Sequence, residues 1–265
     1  MDIKLVVSDV DGTLLNSRHE LTDFTRTTLL ALQASGIKFT LATGKLLSSV
    51  SDIVKSLNLD QPQILANGAL VQQIDGKVLH EIALPQQNFP ILLDFIRSSG
   101  LDYALYTPDQ IFVPRHSQNT TLVVEYNDPQ PIEIGKMDLA DKTFCKIIVL
   151  ERNNTNALDQ LGHALNEKFG DTIKARRSVP GMLEVFNIKT SKAVAVQKVA
   201  GYLRLSLSEV MVIGDSYNDI DMFKVAGLAV AMGNAPDEVK QVAHITIGTN
   251  DEDGLAKYIS QKFDL

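Results

Sequence analysis

The stretch Ser8-Asp9-Val10-Asp11-Gly12-Thr13-Leu14-Leu15 decides how this chain is read. It follows Leu5-Val6-Val7, a compact apolar run of the kind that forms a buried parallel strand. Asp9 and Asp11 stand where that strand should end, Gly12 permits a sharp change of backbone direction, and Thr13 adds a hydroxyl. Ligands of open α/β sheets gather outside the carboxyl ends of the strands. Two neighbouring carboxylates repel, and burying them is costly without a cation or a shared proton. The stretch therefore asks for a metal, a phosphoryl transfer, or both. Taken alone it also fits an Asx turn closing the strand, which Asp-Gly pairs often make.

Working outward, the spacing predicts a helix over 22–36, with Thr22 as N-cap and Gly36 at its end. A strand over 37–42 delivers Thr43-Gly44-Lys45. Leu47, Val50, Ile53, Val54 and Leu57 mark a second helix, and a short strand over 64–66 leads into Asn67-Gly68. This alternation predicts a parallel sheet with right-handed crossovers. The rhythm then changes. Runs over 70–74 and 77–82 flank Asp75-Gly76, a hairpin signal. From about 86 to 185 the pattern is α+β: helices over 89–99 and 155–169, a hairpin around Pro108-Asp109, a loop over 127–131, and strands over 143–150, 172–178 and 182–186. The parallel rhythm resumes with a helix over 191–203, a capping box from Ser206 to Glu209, a buried strand over 210–213, a helix over 218–225 and a strand over 228–231. A helix after Pro236, a strand over 244–246 and a helix over 254–263 complete it. The simplest account is one α/β domain split by a smaller insert.

With 265 residues, 45% hydrophobic and 22% charged, the chain can bury a sizeable core. A net charge of -7 argues against a general nucleic-acid binder, so an anionic substrate needs a bound cation or a few placed lysines. The single cysteine, Cys145, excludes an internal disulfide framework and sits in an apolar run as a small buried hydrophobe. No signal pattern opens the chain and no apolar run spans a bilayer, so a cytoplasmic protein with no membrane partner is expected.

A second acidic cluster mirrors the first. Gly214-Asp215-Ser216-Tyr217-Asn218-Asp219 follows a buried strand, and Asp219 lies on the same side as Asp215 if a helix begins there. Hard oxygen donors suit Mg2+ better than zinc, although acids also decorate helix N-termini because the dipole favours them. Lys192 opens a helix, where its charge opposes the dipole; most such lysines are solvated, and an anion nearby would give a reason for this one.

Asp9-Val10-Asp11-Gly12-Thr13, Thr43-Gly44, Lys192 and Gly214-Asp215-Ser216-Tyr217-Asn218-Asp219 resemble, in order, the motifs of the haloacid dehalogenase superfamily. The insert resembles the type IIB cap of its Cof-like hydrolases, as do Asn67-Gly68-Ala69, Ala231-Met232-Gly233-Asn234-Ala235 and Asp253-Gly254-Leu255-Ala256. The resemblance implies a Rossmann-like parallel-sheet core in residues 1–84 and 187–265, with an α+β cap over 85–186. It implies hydrolysis of small-molecule phosphate monoesters, sugar phosphates or phosphorylated cofactors, through an aspartyl-phosphate. Asp9 is then the nucleophile and Asp11 the acid and base. Asp9, the Asp11 main-chain carbonyl and Asp215 hold Mg2+ with support from Asp219, while Thr43, Gly44, Lys192 and Asn218 bind phosphate. Two positions depart from the pattern. Lys45 replaces the usual arginine, a point charge for a bidentate grip, and Ala193 replaces a glycine.

Tyr103, His116, Arg176, Arg177 and Glu184 are the polar residues of the insert that could meet a leaving group; each also fits a surface or structural role. Two other functions use similar parts. A phosphosugar mutase would return the phosphoryl group to a sugar, and a phosphoacceptor or phosphate-binding regulatory module would hold it. The insert and the proton-donating position of Asp11 argue against the module. The partner expected is a small phosphorylated metabolite; the sequence carries no signature of oligomeric state.

Overall fold

The computed structural model describes residues 2–135 and 142–265. In chain order, β1 (Leu5–Ser8), α1 (Asp23–Ala34), β2 (Lys38–Leu41), α2 (Ser51–Ser56), β3 (Gln63–Leu65), β4 (Leu70–Gln72) and β5 (Val78–Glu81) come first. There follow α3 (Phe89–Ser98), β6 (Asp102–Tyr106), β7 (Ile111–Val113), α4 (Thr121–Glu125), β8 (Ile132–Glu133), β9 (Lys146–Leu150), α5 (Thr155–Phe169), β10 (Ile173–Arg177) and β11 (Met182–Asn187). The chain ends with α6 (Lys192–Tyr202), β12 (Val210–Gly214), α7 (Ile220–Phe223), β13 (Leu228–Ala231), α8 (Asp237–Lys240), β14 (Ile245–Thr246) and α9 (Gly254–Phe263). Two compact units result: one runs through His80 and resumes over Ser191–Leu265, and the other is Glu81–Thr190.

The first unit is built on a parallel sheet of order β14-β13-β12-β1-β2. Its strands are covered on both faces, which is why β1 and β12 read as unbroken apolar runs. Leu5, Val7, Val210, Val212, Ala229 and Ala231 pack with Ala195, Val196 and Val199 of α6 and with Met222 and Phe223 of α7. Each fully buried aliphatic side chain there contributes about 1.5–3 kcal/mol. The register pairs Ser8 with Ile213, and the Asp9 N–H donates to the Ile213 carbonyl at 2.9 Å. The pairing thus runs one residue past β1 and brings the two acidic strand ends together at the carboxyl edge.

One expectation changes. The strand over 64–66 does not extend the parallel sheet beyond a single bridge, Ala42 to Ile64. Ala66, Asn67 and Gly68 all adopt positive φ and turn the chain back at once. Leu65 then opposes Leu70, and a separate sheet of order β3-β4-β5 forms.

The second unit has a six-stranded sheet of order β10-β11-β9-β6-β7-β8, antiparallel except at β7–β8. Leu92, Leu93 and Ile96 of α3 and Leu158, Leu161 and Leu165 of α5 pack with Leu105, Ile147, Val149, Leu183 and Val185. Cys145 is buried beside β9, and burial pushes its thiol up to about 12. Among the described residues, no helix is long and apolar enough to cross a membrane.

Candidate active site

One carbonyl gathers the main chain of the loop after β1. The Val10 carbonyl receives the N–H groups of Thr13, Leu14 and Leu15 at 3.4, 3.0 and 2.9 Å. Gly12 sits at φ +78°, and a Cβ there would lie 2.5 Å from Asp215 Oδ2, so both conformation and space require glycine. Thr13 Oγ1 donates to Asp215 Oδ1 at 2.6 Å, tying the first acidic stretch to the second.

Asp219 reaches this cluster by a route the sequence did not indicate. The helix begins at Ile220, two residues later than expected, and Asp219 caps the loop instead. Its Oδ2 accepts the N–H groups of Asp215 and Ser216 at 3.0 and 2.9 Å. Its Oδ1 accepts from Lys192 Nζ at 2.7 Å, and the same ammonium lies 2.9 Å from Asp9 Oδ1. Lys192 is 1% exposed, which reverses the ordinary reading of a helix-opening lysine as a solvated surface group. Ser191 caps α6 by accepting the Ala193 N–H at 3.1 Å, and this fixes where the Lys192 stem begins.

One carboxylate oxygen from each of Asp9, Asp215 and Asp219 lies within 4.8 Å of the others. Burial drives the Asp9 carboxyl well above the usual carboxylate range; Lys192 opposes the shift, and the charges of Asp219 and Asp215 add to it. Burial raises Asp215 to about 6 against the pull of the Thr13 hydroxyl. For Lys192, burial disfavours the ammonium, but Asp219 and Asp9 outweigh it and hold the amine above its ordinary value. Three carboxylates against one ammonium leave an excess matching the charge of one divalent cation. The donors are all hard oxygens, so the residues present fit Mg2+.

The other residues named from the sequence lie in the loops after β1, β2 and β12. Thr43 is buried, and its hydroxyl accepts the Lys45 N–H at 3.2 Å. A Cβ on Gly44 would meet the Asn67 amide at 3.2 Å. Asn67 in turn accepts from Asn218 Nδ2 at 2.9 Å, so Gly44, Asn67 and Asn218 form one contact chain. Asp11 does not join the carboxylate cluster. Its Oδ1 lies 3.6 Å from Lys45 Nζ and 3.2 Å from His19 Nδ1. His19 was not singled out from the sequence, because its left-handed backbone and its partner eight residues earlier leave no periodic mark.

The polar residues named in the second unit have local partners. Tyr103 accepts from Arg97 Nε at 3.0 Å, Glu184 from Lys146 Nζ at 3.3 Å, and Arg177 donates to Asp159 at 3.0 Å. The Arg176 guanidinium lies 5.9 Å from the centroid of the Phe186 ring, and the His116 main-chain N–H donates to Glu133 at 2.6 Å.

A family model described as haloacid dehalogenase-like hydrolase matches residues 6–259. The chain belongs to this family. The hydrolase is 29% identical to the 5-amino-6-(5-phospho-D-ribitylamino)uracil phosphatase YcsE of Bacillus subtilis, over 98% of this chain and 95% of that one. It superposes on a haloacid dehalogenase-like hydrolase from Bacteroides thetaiotaomicron with a TM-score of 0.89 at 29% identity, covering 98% of this chain and 100% of the other. A phosphatase of the haloalkanoate superfamily from the same organism gives a TM-score of 0.80 at 30% identity, with 99% and 96% covered. In the hydrolase, the buried acids and Lys192 come from the residue after β1, the start of α6 and the loop after β12, where the carboxyl ends of β1 and β12 meet.

Proposed function

We propose that this hydrolase is a phosphatase that cleaves small phosphate monoesters, sugar phosphates or phosphorylated cofactors, through a phosphorylated Asp9 and with Mg2+. The observation that carries the reading is Lys192, buried between Asp9 and Asp219 beside Asp215. Lys192 puts positive charge against Asp9 and opposes the burial that favours its protonated form; a bound cation would act in the same direction, and a nucleophilic carboxylate needs its charge. When bound, Mg2+ supplies positive charge that screens Asp9 from the incoming phosphate; Asp9, Asp215, Asp219 and the Asp11 main-chain carbonyl are the groups that would hold it.

In the first step an Asp9 carboxylate oxygen bonds to phosphorus as the ester P–O bond breaks, and Asp11 gives its proton to the leaving oxygen. In the second, Asp11 takes a proton from water as the water oxygen bonds to phosphorus and the Asp9–phosphorus bond breaks. Thr43, Gly44, Lys192 and Asn218 bind the phosphate oxygens, and Lys192 offsets the charge that develops on them. The Bacillus subtilis relative is named for a phosphorylated ribitylamino-uracil, a small phosphorylated metabolite of the class this reading requires.

The test is phosphate release from p-nitrophenyl phosphate with Mg2+. Asp9→Asn should reduce it by roughly four orders of magnitude or more, as loss of a nucleophile does elsewhere. Wild-type turnover in that variant ends the assignment.

A further inference from the structure

Asp11 differs from the other acids in having no packed cage. Its side chain is 37% exposed, and the second torsion of an aspartate is soft. A general acid must nevertheless present its proton within hydrogen-bond reach of the leaving oxygen. Among the described residues, His19 and Lys45 approach the Asp11 carboxyl, both at the same oxygen. His19 Nδ1 lies 3.2 Å from Oδ1 and Lys45 Nζ lies 3.6 Å from it.

The His19 contact is not an accident of a loose loop. Asn16 donates its N–H to the Glu20 carbonyl at 3.1 Å, and His19 donates its own to the Asn16 carbonyl at 2.9 Å. The Asn16 side-chain oxygen accepts the N–H groups of Arg18 and Glu20 at 2.9 and 3.0 Å. Ser17 N–H donates to Asp251 at 2.8 Å, which fastens the loop to a distant part of the same unit. These bonds hold His19 at φ 58°, a left-handed conformation that costs a residue with a Cβ about 1 kcal/mol or more. These bonds fix the backbone from which the imidazole projects toward Asp11.

We propose that His19, with Lys45, is a positioning residue that fixes the Asp11 carboxyl through Oδ1 and so assigns the transferred proton to Oδ2. A carboxyl accepts at Oδ1 when ionised and when its proton sits on Oδ2. The clamp therefore persists through both half-reactions. In the first, the Oδ2–H bond breaks and the proton passes to the leaving oxygen as its bond to phosphorus breaks. In the second, a water proton returns to Oδ2 as the water oxygen attacks phosphorus. The inference rests on the acid–base reading of Asp11 given above.

The experiment compares kcat/KM for a primary alkyl phosphate, whose alkoxide must be protonated to leave, with that for p-nitrophenyl phosphate, whose phenolate leaves unaided. His19→Gly removes the imidazole and relieves the backbone strain, so it should fold at least as well. It should lose about thirtyfold on the alkyl ester, part of the hundredfold or more that a general acid supplies, and less than about threefold on the aryl ester. His19→Asn tolerates the left-handed backbone and places Nδ2 where the imidazole Nδ1 was. It should recover the alkyl ester to within about fivefold of wild type, since a restored donor restores the position of the acid. Equal losses on both esters, or no loss on either, overturn the role of His19. Asp11→Asn is the control: if it too fails to separate the two esters, the acid–base reading itself falls, and if it separates them while His19→Gly does not, only the present inference falls.

Discussion

Lys192→Met removes one positive charge from the middle of the carboxylate cluster and leaves a stem of similar length in place. Nζ is 2.7 Å from Asp219 and 2.9 Å from Asp9, and all three side chains are buried. Breaking a buried ion pair from one side costs about 3–5 kcal/mol. A second route to the magnitude gives the same answer. On the reading that Lys192 keeps one carboxylate ionised in the folded protein, its loss makes that carboxylate bind a proton there. From an ordinary value of 3.8, this costs about 4 kcal/mol at pH 7 and less than half of that at pH 5, at about 1.36 kcal/mol per pH unit. The sign follows. The variant's carboxylate has a raised folded value, so its folded state holds a proton that the unfolded chain releases, and stability relative to wild type is lost as pH rises. Urea unfolding in chelator should therefore show a deficit near 4 kcal/mol at pH 7 that shrinks by about 2.7 at pH 5. A deficit below about 1 kcal/mol, or one equal at both pH values, would mean that the native cluster already shares a proton and that Lys192 does not keep Asp9 ionised.

Two further outcomes follow from geometry. Gly12→Ala forces a Cβ to within 2.5 Å of Asp215 Oδ2 at φ +78°, so Asp215 must move; the Mg2+ concentration for half-maximal activity should rise about 10–100-fold, and an unchanged value refutes the placement of Asp215 in the metal site. Cys145 is buried with its thiol pushed up to about 12, so an aromatic disulfide reagent should modify it only after denaturation; fast labelling of the native protein contradicts that burial.

The parallel core was legible because its strands are short, doubly buried and therefore apolar at consecutive positions, as in Leu5-Val6-Val7 and Val210-Met211-Val212-Ile213. Local chemistry was legible too: Thr22 caps α1, and Ser206 and Glu209 form a capping box. What the sequence hides is non-local. Nothing in the run over 63–68 announces that Ala66, a residue with a Cβ, takes positive φ and sends β3 into an antiparallel pair with β4. Helix α4 is too short to show a period. The dipole argument asked for an anion near Lys192 without saying which; the structure answers with Asp9 and Asp219. Asp219 was expected to reach Asp215 along a helix, yet it does so by accepting two loop N–H groups, a contact that residue spacing does not encode.

Asp9 and Asp11 are chemically identical and separated only by Val10, so any division of labour between them must come from their surroundings. The backbone supplies it. Asp9 still belongs to the sheet through its N–H bond to Ile213, and this carries its side chain to Lys192 in a buried, charge-dense place. Beyond Val10 the chain folds onto a single carbonyl, and Asp11 emerges more than a third exposed, between Lys45 and His19. A carboxylate caged by an ammonium suits attack, because its charge is held and its position fixed. A carboxyl at the rim suits proton exchange, because water and leaving group can both reach it. In the proposed mechanism the end of one strand thus separates the nucleophile from the acid, and the loop through His19 is what would keep the acid from drifting once the sheet no longer holds it.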